Sequence, residues 1–373
     1  MKILILSTKH TGMGHTSIAN SIISECNDRN IETKVVDMLE LAAKFVFNQA
    51  SAYGAMVEHN PKRYERLYHF AEYHHELQGW FFTWGLIKKF RKILDEYQPD
   101  IVVSVHPNYV YNIMRIKKRY KYNFKFVVVI ADPVTPNSCF VHPEADLNII
   151  PTQDAIDFLS QEIKVDLSTY KMAVNILPVR REIVEASKHI TLQDIENYQI
   201  SDPFKVVIIS GGDGASNYDD LINDLSTIPH IHITAVCGKN KENKEKLTLK
   251  YQDQGNVEIL GFVEDMQKLI STQDMGILRA SPNTILEFIS FAVPVILIGT
   301  ILGQERGNIT FVEKNKIGFY CQDSQEVCQK LKEILSEPLK IKELKRNELN
   351  LRQLNAASTL VDKIVSVVKD EQK

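Results

Sequence analysis

Short runs of uninterrupted apolar and β-branched residues recur along the chain, and they leave few folds open. KILILS (2–7), TKVVDM, DIVVSVH, FKFVVVIA and LNIIP follow one another up to Pro151, with helical patterns between them. A strand that is apolar at successive rather than alternate positions is covered on both faces, as in a parallel sheet held between layers of helices. After the polar stretch HITLQDIENYQISDP the pattern restarts with FKVVIIS, IHITAVCG, VEILGF, DMGILRA and VPVILIG. The reading is therefore α/β, with two doubly wound, Rossmann-like domains in series, 1–201 and 202–373, divided near Asp202. The tail from about Ser324 reads as helices, and its last one, TLVDKIVSVVKD, is expected to cross back over the first domain. Two such sheets are expected to face a cleft at the carboxyl ends of their strands, where ligands of these folds bind.

A chain of 373 residues exceeds what one core usually holds, in keeping with two domains. Its 44% hydrophobic and 24% charged residues are ordinary for a globular protein, and the formal net charge of -3 gives no global basic field for nucleic acid. Five cysteines, odd in number and without a C-x-x-C pair, argue against a disulfide framework or a zinc site and fit a reducing cytoplasm. Met1 leads straight into a strand, and no stretch reaches the roughly 18 apolar residues of a spanning helix. The expectation is a cytoplasmic protein, soluble or peripheral at the inner face of the cell membrane.

Several strand ends carry residues suited to chemistry. HTGMGHTSIANSI follows the first strand, and a strand, a glycine turn and a helix start bring unpaired N–H groups close to an anion. It is neither a dinucleotide fingerprint, which needs glycine at Ser17, nor a Walker loop, which needs G-K-[ST]. Gly12 and Gly14 would let a ligand approach the backbone, and His15 offers an imidazole able to exchange protons near neutral pH; a plain turn with a capping histidine accounts for the same residues. SGGDG, around Gly212, follows a strand in the same way. In ILRASPNTILEF, Arg279 and the turn amides suit phosphate, and Glu287 suits vicinal ribose hydroxyls. Thr284 and Glu287 also have the spacing of a capping box, so spacing alone leaves both open.

LGQERGN sets Gln304, Glu305, Arg306 and Asn308 in a glycine-flanked loop past a strand, the donors and acceptors that sugar hydroxyls need. HHELQG lacks the H-E-x-x-H spacing of a metal pair, and no metal site is read. GWFFTWGLIKKFRK puts Trp80, Phe81, Phe82 and Trp84 beside Lys88, Lys89, Arg91 and Lys92, the composition of an interfacial contact with an anionic membrane surface or of a packed helix with a solvated basic end.

Taken as an ordered set, TGMGHTSIANSI, SAYGAMVEHNPKRYERLY, PDIVVSVHP and LPVRREI, followed by SGGDG, CGKNKE, ILGFVEDM, NTILEFISFAVPVIL and GQERGN, resemble the monogalactosyldiacylglycerol synthase and processive diacylglycerol glucosyltransferase family. This is a GT-B group related to the enzyme that makes peptidoglycan lipid II, and the resemblance covers nearly the whole chain. It implies transfer of a sugar from a UDP-sugar to a lipid hydroxyl, such as that of diacylglycerol, with inversion at the anomeric carbon. No metal or cofactor is implied, since the UDP-sugar is itself the donor substrate.

By the resemblance, the backbone at Phe262 and Val263 reads uracil, Glu287 the ribose, Gly212 and Asn283–Thr284 the diphosphate, and Gln304 with Glu305 the sugar. His15 sits at the reacting centre. Acceptor contacts are expected at Gly14 and Asp132, and, from the composition of the aromatic and basic stretch rather than from the resemblance, at Trp80, Phe81 and Trp84. Two departures stand out. Arg279, Ala280, Ser281 and Pro282 replace the family's Lys-Pro-Gly-Gly, and Asn137 and Phe140 stand where the family has a histidine and a tryptophan. The alternatives weighed are a UDP-sugar glycosyltransferase with a soluble small-molecule acceptor, a UDP-N-acetylglucosamine 2-epimerase on the same fold, and a nucleotide-sugar binder without turnover. GQERGN and SAYGAMVEHNP favour the transferase.

Overall fold

The computed structural model describes residues 1–9, 14–42, 44, 47–48, 60–73, 86–209, 218–301 and 305–369. The chain divides into two compact units: Met1–Arg180 with Ile301–Gly307 and Asn355–Lys373, and Arg181–Thr300 with Asn308–Leu354. The stretch 181–201, assigned above to the first domain, packs with the second unit. Within that unit Tyr198 and Ser201 hydrogen-bond Asp274 at 2.6 and 3.0 Å, which anchors the stretch before the first strand of its sheet begins.

The first unit holds a six-stranded sheet of β1 (Lys2–Ser7), β2 (Glu32–Asp37), β3 (Ile101–Ser104), β4 (Lys125–Val129), β5 (Leu147–Ile150) and β6 (Met172–Val174), in the order β2-β1-β3-β4-β5-β6. Every pairing is parallel. Ile3 to Leu6 and Ile101 to Val103 are wholly buried, as continuous apolarity requires. The helix Ala356–Lys369 completes this unit: Leu360, Val361 and Ile364 are fully buried. Arg29 holds the helix by donating to the Ser358 carbonyl and hydroxyl, and Asn175 donates to the Ala356 carbonyl.

The second unit repeats the plan with β7 (Phe204–Ile209), β8 (Ile231–Val236), β9 (Val257–Leu260), β10 (Met275–Leu278), β11 (Val295–Ile298) and β12 (Gly318–Cys321), all parallel, in the order β12-β11-β10-β7-β8-β9. The tail helices Ser324–Ser336 and Pro338–Leu351 belong here, while the last helix returns to the first unit. The sequence reading missed β6 and β12. Both are short edge strands: β6 is only the three residues Met-Ala-Val, and β12, Gly-Phe-Tyr-Cys, holds no Val, Ile or Leu.

Gly276 on β10 sets how closely the next helix, Pro282–Ser290, lies on the sheet. A Cβ there would stand 2.3 Å from the nearest ring carbon of fully buried Phe288. Overpacking of this kind typically costs about 1–3 kcal/mol. Gly276→Ala should lower the free energy of urea unfolding by about that much, and unchanged stability would mean that the Phe288 ring yields without cost.

Candidate active site

In an open parallel sheet the ligand crevice lies past the carboxyl ends of the strands where the chain order reverses. In the first unit that point lies between β1 and β3, since the chain passes from β1 to β2 on one side and later to β3 on the other. The helix Gly14–Asp28 begins just past β1, with Gly14 and His15 in its first turn. Val105 and His106 follow β3 directly, and the Val105 N–H donates to the Leu6 carbonyl at 3.0 Å.

His15 is buried, and its Nδ1 lies 2.6 Å from the Val105 carbonyl oxygen. A carbonyl can only accept, so Nδ1 carries the hydrogen and the lone pair resides on Nε2. Burial lowers the imidazole pKa from 6.5 to about 4, opposed by the Val105 hydrogen bond. The ring is thus neutral at physiological pH and holds a nitrogen able to take a proton. The His106 ring lies 4.6 Å from it, the Phe140 ring 6.3 Å, and Tyr109 stacks on His106 at 5.0 Å.

Phe140 arrives on the loop after β4 that contains Asp132, which is itself buried. Asn137 caps the short turn Ser138–Phe140 and donates to the Tyr68 carbonyl at 3.2 Å. The residues at the departing positions are therefore both structural members of this loop. Gly12, Trp80, Phe81, Phe82 and Trp84 lie outside the described residues, as do Gly212 and Gln304. The basic part of the aromatic stretch falls on the helix Leu86–Tyr97, which buries Leu86, Phe90, Leu94 and Tyr97. Lys88, Lys89 and Lys92 are exposed, and Arg91 lies over the Tyr120 ring at 3.8 Å.

In the second unit the order reverses between β7 and β10, whose last residues Ile209 and Leu278 pair. Arg279 follows β10, Ser281 occupies the cap position without a side-chain cap bond, and Pro282 is the first helical residue. This corrects the capping-box reading: Thr284 is the third helical residue rather than the cap, so Glu287 cannot close a box on it. The proline at the first position removes an N–H that the helix would leave unpaired in any case. Asn283 and Thr284 follow it, and their N–H groups precede the first that the helix can satisfy internally; the Ile285 N–H reaches Ser281 O at 3.1 Å. Helix dipole and unpaired donors together favour an anion at this turn. Glu287 is buried one turn further on.

Phe262 stands beyond β9 with 57% of its surface exposed, and the Lys239 ammonium lies 5.7 Å from its ring centre. Val263 beside it is half-buried. Glu305, within the first unit, accepts from the Ile301 N–H at 2.8 Å while its own N–H donates back to Ile301 O at 3.0 Å. One carboxylate oxygen is thereby spent on holding its loop. Asn308, in the second unit, is buried and donates to the Ala280 carbonyl at 2.8 Å. That contact fixes the backbone just before the Ser281–Thr284 turn, a role the sequence reading did not give it. Among the described residues no three His, Cys, Asp or Glu side chains group as metal ligands would.

Residues 15–171 match the family described as monogalactosyldiacylglycerol (MGDG) synthase, and residues 205–364 match the glycosyltransferase family 28 C-terminal domain. With these two domains in series, the chain is a UDP-sugar-dependent glycosyltransferase. It is 24% identical to a processive diacylglycerol beta-glucosyltransferase of Bacillus cytotoxicus over 98% of this chain and 93% of that one. It is 23% identical to the Bacillus subtilis protein of the same name over 98% and 94%. Among solved structures, Acinetobacter baumannii MurG is similar with a TM-score of 0.65 at 15% identity, covering 98% of this chain and all of that one. Anabaena Alr3699/HepE in complex with UDP gives 0.59 at 14%, over 99% and 100%. These likenesses bear out the GT-B reading of the fold.

The buried imidazole makes an acid-range prediction. An unfolded histidine takes a proton near pH 6.5, whereas folded His15 resists down to about 4. Between those values the unfolded state binds more protons, so the stability present above pH 6.5 is lost as pH falls toward 4. His106, whose pKa is also lowered by burial and by facing His15, acts in the same direction. Thermal melts should show the melting temperature dropping across this window, with a smaller drop for His15→Gln. Equal drops in the two proteins would remove burial of His15 as the source.

Proposed function

We propose that this protein transfers a sugar from a UDP-sugar to the hydroxyl of diacylglycerol, with inversion at the anomeric carbon. The observation that carries the reading is His15, held with its hydrogen on Nδ1 and its lone pair on Nε2 at the reversal point of the first sheet. The acceptor oxygen attacks the anomeric carbon, its proton passes to Nε2, and the bond from that carbon to the diphosphate breaks to release UDP. A base of low proton affinity takes the proton late, once carbon–oxygen bond formation has acidified the hydroxyl. The N–H groups of Asn283 and Thr284, with Arg279, suit the charge that develops on the leaving diphosphate. Glu287 then serves the ribose, Phe262 and Val263 the base, and no cofactor beyond the donor is called for.

The relatives that span the chain are diacylglycerol glucosyltransferases, which favours a lipid over a soluble acceptor. Among the described residues no helix is long and apolar enough to cross a membrane. Access to a lipid hydroxyl then requires peripheral contact at the bilayer surface, and exposed Lys88, Lys89 and Lys92 suit an anionic one.

The test is turnover of UDP-sugars on anionic vesicles containing diacylglycerol, followed by mass spectrometry, for the parent protein and His15→Ala. A positioned proton-transfer group contributes about 10²–10⁴-fold in rate. His15→Ala should therefore lower kcat by at least about tenfold while leaving the calorimetric Kd for UDP unchanged. Normal turnover in a folded His15→Ala protein would overturn the base assignment.

A further inference from the structure

The His106 side chain belongs to neither the acceptor nor the donor contacts, yet it is 3% exposed and faces His15. Its surroundings are specific. Ser104 Oγ donates to the His106 carbonyl at 2.9 Å, and His106 Nδ1 accepts from the Asn108 N–H at 3.3 Å as the cap of the short turn Pro107–Tyr109. The backbone on either side of the Val105 carbonyl is therefore tied down: Val105 N–H to Leu6 on one side, the His106 cap on the other. That carbonyl is the group that selects the tautomer of His15. The His106 ring also fills the space beside the His15 ring, with Tyr109 behind it at 5.0 Å and 0% exposed.

We propose that His106 is a positioning residue: by capping the turn after β3 and packing on His15, it keeps the Val105 carbonyl on Nδ1 and so leaves Nε2 of His15 as the proton acceptor. This rests on the reading of His15 as the base. An imidazole with no fixed partner distributes its hydrogen between the two nitrogens, and the form with hydrogen on Nε2 cannot accept a proton there. A second-layer hydrogen bond that selects a tautomer acts on the rate without touching substrate.

Two variants separate the parts of this role. His106→Leu fills much of the volume but offers no acceptor to Asn108, whereas His106→Asn restores a capping acceptor. The tautomer is read in the free protein from the ring ¹⁵N shifts of His15, assigned by their loss in His15→Gln, so this readout needs no substrate. The expected result is a single form with hydrogen on Nδ1 in the parent and in His106→Asn. His106→Leu should show a mixture of the two forms, with kcat about tenfold lower and the Kd for UDP unchanged. A folded His106→Leu protein that keeps the single Nδ1–H form would overturn the proposal. A mixed tautomer with undiminished kcat would uphold the positioning role and overturn instead the assignment of His15 as base.

Discussion

All strands of a parallel sheet run out at the same edge, and in this protein that edge collects the residues with chemistry to offer. The order β2-β1-β3-β4-β5-β6 makes neighbours β1 and β3 part company there, one feeding a helix start and the other a tight turn. His15 and Val105 are thus brought within 2.6 Å although 90 residues separate them. The imidazole is neutral because it is buried, and its tautomer is fixed because a backbone carbonyl is the partner. Both properties follow from the pairing order and not from a neighbouring acid.

The second sheet puts the same geometry to a different use. A helix begins where β10 ends, and the glycine at position 276 lets Phe288 of that helix lie against the strand. Asn308 ties down Ala280 just ahead of the first helical residues. The turn therefore presents backbone N–H groups held in place before any ligand arrives, which is the condition for stabilising charge as it forms. Having Ser281 and Pro282 in place of two permissive glycines keeps this feature, because the proline falls at the one helical position that has no use for its N–H.

Much of this was legible in the sequence, and what was not has identifiable causes. Ten strands were read from their apolar runs, whereas β6, three residues long, and β12, without Val, Ile or Leu, offered no comparable run. The last helix was expected to pack back on the first domain, and Asn355–Lys373 does belong to that unit. The contact of Asn308 with the Ala280 carbonyl and that of the His106 ring with His15 were not readable, because each joins residues distant in the chain that only the fold brings together. Thr284 and Glu287 mimic a capping box by spacing, and only the helix start at Pro282 shows that the spacing is coincidental.

The central claim is that an acceptor hydroxyl displaces UDP in one step at the anomeric carbon, with a neutral imidazole taking the proton. The stereochemistry of the glycolipid tests it most directly. With UDP-glucose, whose anomeric bond is α, and diacylglycerol, the ¹H coupling of the product's anomeric proton should report a β-linkage from the first turnover onward. An α-linked product would contradict the single displacement.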